Sequence, residues 1–201
     1  MRLLLIRHGE TPSNLLRALD TGAPGPGLTD LGHRQAAKLI ESLSDEAIGA
    51  VFTSNLHRAQ LTAAPLARAV GVEALVRDGL REIAAGCLEM RTDAESMLRY
   101  VSLLEAWMRG RADEVLDGGE ACSSVYSRFN AVVAEAEGLG HPTVAMVSHG
   151  AMIRTWCGHH TTNVDADFAT RRNLANTGVV VLSGSTPAGW AVETWEGERI
   201  G

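Results

Sequence analysis

A short apolar run followed at once by a polar residue, a histidine and a glycine occurs twice in this chain, as Leu3–Ile6 before Arg7-His8-Gly9 and as Val144–Val147 before Ser148-His149-Gly150. An uninterrupted apolar run of this length, closed by a turn, suits a strand buried on both faces of a parallel sheet. Both histidines are then expected at strand carboxyl ends. In open parallel sheets ligands bind outside that edge, beside the crevice where the strand order reverses. Two imidazoles from distant parts of the chain are therefore expected to face one pocket.

Further runs at Ile48–Phe52 and Val179–Leu182 add strands of the same kind, Ala74–Val76 adds a weaker one, and Trp190–Thr194 is a candidate edge strand. Between them the apolar spacing becomes helical, first at Ala36, Leu39, Ile40 and Leu43, then at Leu56, Ala59, Ala63, Leu66 and Val70, and again from Cys122 through Val125, Phe129, Val132 and Ala136. Strand and helix alternate, so the fold class is α/β. The stripe Met97, Val101, Leu104, Met108 reads as a helical, lid-like insertion around 87–117, and as core or lid packing rather than a cofactor box. The glycines and prolines of Thr21–Gly27 require a loop. One domain over 1–201 is expected, since neither a boundary nor an internal repeat is visible.

Charge narrows the partners. The net charge is −6 with basic residues scattered along the chain, which argues against nucleic acid or an anionic membrane surface and for a small polar ligand. Lys38 is the only lysine, and the remaining basic side chains are guanidiniums, whose fork matches a phosphate. Cys87, Cys122 and Cys157 are odd in number and widely spaced, which implies a reduced, cytoplasmic setting. No apolar stretch approaches a membrane span. A homodimer through an exposed edge strand is compatible with the sequence without following from it.

The remaining candidates fall on the same sheet edge. Ser54, Asn55 and Arg58 follow the strand ending at Phe52, and Glu82 follows the one ending near Val76. If Ser54 or Asn55 caps the next helix, Arg58 lies in its first turn, where the helix dipole disfavours a cation and an anionic ligand removes the conflict. Thr11 is a candidate N-cap with Pro12 at the first helical position, which brings another set of free N–H groups to the area. Two arginines, two histidines and helix N-termini suit a compact dianion, of which phosphoryl is the usual one. Positive neighbours keep an imidazole neutral and able to attack phosphorus, and a carboxylate must protonate the leaving oxygen and then activate water. Glu82 is the choice for that role, with Glu10, Glu89 and Glu120 the other carboxylates on offer.

These residues resemble the histidine phosphatases, among them the cofactor-dependent phosphoglycerate mutases. The resemblance rests on Arg7-His8-Gly9-Glu10-Thr11 with Asn14, Leu28-Thr29 with Gly32 and Gln35-Ala36, Ser54…Arg58-Ala59…Thr62-Ala63, Leu80-Arg81-Glu82 with Gly86, Gly118-Gly119-Glu120, and Ser148-His149-Gly150. It implies a three-layer α/β/α sandwich with a mostly parallel sheet and no bound metal or other cofactor. Residue by residue, it implies His8 as the phosphohistidine nucleophile and Glu82 as proton donor and acceptor. Arg7, Arg58 and His149 would bind the phosphoryl oxygens, assisted by Asn14 and the Gly150 amide.

Three departures bear on substrate recognition rather than on the chemistry. Asp20-Thr21-Gly22 stands where the family usually has a glutamine-glycine pair, Cys87-Leu88-Glu89-Met90 replaces a Trp-Glu-Gly, and Leu61 replaces a common glutamine. The expected activity is hydrolysis of a small phosphomonoester. The competing readings are a mutase-type phosphotransferase, which needs a second anion clamp and a closing lid, a phosphoryl-binding module without turnover, and a metal-dependent hydrolase. Arg81, Arg91, Arg109 and Arg111 are candidates for leaving-group contacts.

Overall fold

Apolar side chains alternate along β1 (Arg2–Arg7), and that alternation builds the layers. In the computed structural model, which describes residues 1–201, Leu3 and Leu5 join one hydrophobic core and Leu4 and Ile6 the other. The strands β2 (Ile48–Ser54), β3 (Ala74–Arg77), β4 (Thr143–Ser148), β5 (Val179–Ser185), β6 (Gly189–Trp195) and the short β7 (Glu198–Arg199) complete one sheet in the order β3-β2-β4-β1-β5-β6-β7.

Helices α1 (Pro12–Leu16), α2 (Asp30–Ser42) and α3 (His57–Ala69) precede β3, and α4 (Ala94–Met108) and α5 (Cys122–Gly138) precede β4. Helices α6 (Gly150–His160) and α7 (Ala166–Arg171) lie between β4 and β5. Leu39 and Leu43 beside α3's Ala59, Ala63 and Leu66 cover one face of the sheet. Leu104 and Trp107 of α4, Phe129 of α5, Trp156 of α6 and Ala169 of α7 cover the other. The result is the expected α/β/α sandwich.

The sheet is mixed. β1 to β4 run parallel, whereas β5 pairs antiparallel with β1, and β6 and β7 continue antiparallel. The run Val179–Leu182 does form a buried strand, but its apolar pattern carries no information about direction, and the expectation that it extends a parallel sheet is corrected. The Trp190–Thr194 run is the next-to-last strand, with β7 beyond it, and β3 forms the opposite edge. No helix is long and apolar enough to cross a membrane.

Candidate active site

β1 and β4 pair in parallel with Arg7 opposite Ser148, and the His8 amide donates to the Ser148 carbonyl at 3.0 Å. After β1 the chain leaves for α2 on one face of the sheet, and after β4 it leaves for α6 on the other. The strand ends therefore open a crevice between β1 and β4, as they do at a reversal of strand order. His8 and His149 stand in it with ring centroids 5.2 Å apart and planes tilted by 56°. They are 4% and 0% exposed, so neither imidazole exchanges freely with water.

A local hydrogen bond assigns the ring proton of His8. His8 Nδ1 lies 2.7 Å from the Gly9 carbonyl oxygen, which can only accept, so Nδ1 carries the proton and Nε2 keeps its lone pair. Burial, and then Arg58 and Arg7, push the His8 pKa well below the ordinary imidazole value, so the ring is neutral near pH 7. At His149, Nε2 lies 2.8 Å from Ser54 Oγ, and that oxygen already accepts the Leu56 amide at 3.2 Å. This contact holds the ring in place, and His149 Nδ1 is buried with no partner in the protein. Burial, then Arg58 and His8, hold this ring neutral as well.

The two guanidiniums are anchored by one arm each. Arg7 donates through Nη1 to the Leu174 carbonyl at 2.6 Å, while its buried Nε has no partner. Gly150 makes this placement feasible, since a Cβ there would lie 3.1 Å from Arg7 Nε. Arg58 lies in the first turn of α3, 3% exposed, and donates through Nη2 to the Asp20 carbonyl at 2.9 Å. Its Nη1 is buried without a hydrogen bond, 4.0 Å from an Asp20 carboxylate oxygen. The helix is capped neither by Ser54 nor by Asn55: Leu56 occupies the N-cap without a side-chain bond, and Ser54 serves His149 instead. Thr62, one turn further along α3, accepts the Gly9 amide at 2.9 Å and so ties the histidine loop to the arginine helix.

Glu82 lines the same cavity. Its carboxylate accepts from the Ile83 amide at 3.0 Å and from two amides at the start of α6, Ala151 at 3.2 Å and Met152 at 2.9 Å. The three rival carboxylates are engaged elsewhere. Glu10 accepts from Thr29, Glu89 from the Thr21 and Gly22 amides, and Glu120 pairs with Arg81 and Arg128. Thr11 caps α1 with Pro12 in its first turn, as expected, and Asn14 Oδ1 accepts from the Thr11 amide and from Asn176 Nδ2 at 3.0 Å. That leaves the Asn14 amide nitrogen as its donor toward the cavity.

The structure thus gathers Arg7, His8, Asn14, Arg58, Glu82 and Gly150 on the wall of one cavity of about 260 Å³, with His149 behind His8. It does not bring Arg81, Arg91, Arg109 or Arg111 there. Arg81 pairs with Asp78 and Glu120, Arg91 with Asp93, Arg109 with Glu105 and Asp167, and Arg111 with Glu114. Arg154 lines the cavity in their place, held by the Ala169 and Thr170 carbonyls. It lies four residues after Gly150, on the same face of α6, a spacing that would have singled it out had α6 been read as a helix. No group of three or more His, Cys, Asp or Glu side chains is arranged to hold a metal ion.

A mixed α/β/α sandwich with two neutral histidines between guanidiniums at adjacent parallel strand ends defines a class, and comparison with known proteins agrees with it. Residues 3–197 match the family model described as histidine phosphatase superfamily (branch 1). The chain belongs to that superfamily. It is similar to phosphoserine phosphatase 1 of Hydrogenobacter thermophilus, 30% identical over 155 residues, covering 77% of this chain and 73% of the relative. It is also 30% identical over 213 residues to the PE-PGRS family protein PE_PGRS11 of Mycobacterium tuberculosis, covering 98% of this chain but only 36% of that longer protein. Among solved structures, a mycobacterial glucosyl-3-phosphoglycerate phosphatase with VO3 superposes with a TM-score of 0.79 at 26% identity, covering 97% of this chain and 98% of the other.

Proposed function

We propose that this protein is a metal-independent phosphatase that hydrolyses a small phosphomonoester through a phosphohistidine on His8. The observation that carries the reading is the fixed tautomer of His8: a buried, neutral ring with its Nε2 lone pair free, beside two guanidiniums that each keep a buried N–H without a protein acceptor. Those N–H groups, with His149, the Gly150 amide and Asn14, suit the oxygens of a phosphoryl group and its developing charge. The names of the relatives, which act on phosphoserine and glucosyl-3-phosphoglycerate, agree with a small phosphorylated metabolite as substrate.

In the first step His8 Nε2 forms a bond to phosphorus as the bond to the leaving oxygen breaks, and Glu82 gives that oxygen its proton. In the second, Glu82 takes a proton from water, whose oxygen attacks phosphorus, and the P–N bond breaks to release inorganic phosphate and restore His8. Positioning and charge dispersal carry most of such a transfer, and Arg7 and Arg58 supply both.

The test is phosphate release from a panel of phosphomonoesters, with and without 2,3-bisphosphoglycerate, beside isomerisation of 3-phosphoglycerate. Release without the bisphosphate, surviving EDTA, together with an acid-labile phosphoenzyme that His8→Ala lacks, is the expected result. Undiminished turnover in a folded His8→Ala variant would refute the assignment. Isomerisation faster than release would make the protein a mutase.

A further inference from the structure

Beyond the phosphoryl cradle, the cavity wall is an unbroken helical stripe. Met97, Tyr100, Val101, Leu104 and Met108 of α4 all line it, and Leu19 and Leu174 continue the apolar surface. Met97 and Val101 are half-buried and the rest of the stripe is buried. The spacing is that of one helix face turned toward the cavity.

Along the α4 face no polar group is left for a ligand. Tyr100 donates its hydroxyl to the Ile83 carbonyl at 2.7 Å and so offers the cavity only its ring. Away from α4, Thr155 and Thr170 line the wall with buried hydroxyl oxygens that have no partner in the protein, and Asn173 lines it too. Two of the three guanidinium nitrogens of Arg154 are bonded to backbone carbonyls. The only lining carboxylates, Asp20 and Glu82, are bonded at the cradle. A leaving group whose hydroxyls lie against the α4 face would give up their bonds to water and find no replacement there. An apolar one would exchange water for the α4 stripe.

We infer that this half of the cavity selects phosphate esters of apolar, ring-sized or branched alcohols over esters of polyhydroxylated ones, with Met97, Val101 and Leu104 as the specificity-determining contacts. The inference rests on the phosphatase reading and names its substrate class. A single apolar group in a fitted pocket is worth roughly 10- to 200-fold in discrimination, so the effect is measurable.

The experiment compares cyclohexylmethyl phosphate with glucose 6-phosphate, two primary esters of similar ring size that differ chiefly in hydroxyl groups. The expected result is a kcat/KM at least about tenfold higher for the apolar ester, carried mainly by KM. In the Met97→Gln/Val101→Thr variant that ratio falls at least about threefold. The near-isosteric Val101→Thr serves alone if the double variant does not fold. Equal or faster turnover of glucose 6-phosphate, or a ratio the variants leave unchanged, overturns the inference.

Hydrolysis of p-nitrophenyl phosphate with both alkyl esters inert also overturns it while leaving the phosphatase reading intact. If p-nitrophenyl phosphate is inert too and no phosphohistidine forms, the phosphatase reading fails. Calorimetric binding of cyclohexylmethylphosphonate against glucose 6-phosphate then decides the selectivity by itself. Tighter binding of the phosphonate supports it, and equal or weaker binding overturns it.

Discussion

Gly25 lies over the guanidinium of Arg58 with φ at +66°, and a Cβ on Gly25 would come 2.5 Å from Arg58 Nη1. The loop between α1 and α2 thus roofs one of the two buried cations, and its glycine supplies both the left-handed backbone and the clearance. Arg58 can stay where it is only while that position has no side chain.

Gly25→Ala is therefore expected to displace Arg58 and weaken anion binding by about tenfold, with a strain cost of about 1–2 kcal/mol at the left-handed position. The inhibition constant for orthovanadate, measured beside urea unfolding, separates the two effects. Unchanged vanadate inhibition would show that Arg58 does not hold the anion.

Glu82→Gln keeps the shape of the side chain but cannot donate or accept the catalytic proton. With p-nitrophenyl phosphate, whose leaving group needs little protonation, the variant is expected to give a burst of nitrophenolate equal to the enzyme present. Steady turnover should then fall by about 10²- to 10⁴-fold, and phosphohistidine should accumulate. A rapid-quench time course reads all three. A variant that turns over at the native rate would move the acid-base role to another group.

Ser54→Ala removes both the acceptor of the Leu56 amide and the partner of His149 Nε2. Leaving these buried groups unpaired is expected to cost about 1–3 kcal/mol of stability. Because the His149 ring would lose the contact that orients it, kcat/KM should fall with it. Chemical denaturation and kinetics on one preparation check the pair of effects, and a fall in stability with native kinetics would show that Ser54 does not orient His149.

Acid should destabilise the fold. His8 and His149 are held neutral by burial and by Arg58, so below the ordinary imidazole pKa of 6.5 the unfolded chain takes up protons that the folded chain refuses. His160, whose pKa burial lowers to about 4, acts in the same direction. Stability is therefore complete above about pH 6.5 and falls as pH drops, with a slope approaching about 1.4 kcal/mol per pH unit for each fully buried ring. Urea midpoints measured across this range test it. His149→Gln should flatten the slope, and a native slope in that variant would contradict the assignment.

Much of this arrangement was legible in the residue order. The runs before Arg7-His8 and Ser148-His149 are strands paired in register, the α/β class and the helices at 36–43, 56–70 and 122–136 follow from periodicity, and the three-layer architecture is what the family resemblance implies. What was not legible depends on distance or direction. The strand at Val179 looks the same whether it runs with or against β1. Helix α6 was overlooked because Gly150, Gly158 and the paired His159-His160 interrupt its apolar spacing, and with it went Arg154. His159 is exposed, but His160 is half-buried and stacks on Trp156, a contact no spacing rule supplies. The arginines at 81, 91, 109 and 111 were equal candidates in the chain, and only their acidic partners in space remove them from the cavity.

The register between β1 and β4 has one more implication. Because Arg7 faces Ser148 across a parallel ladder, the gap between the two histidines is set by the repeat distance of a hydrogen-bonded sheet, which no connecting segment can alter. A segment outside that ladder, such as 94–108, can then drift in composition over evolutionary time without detuning the reacting atoms. One rigid chemical centre is left free to be fitted with successive recognition surfaces.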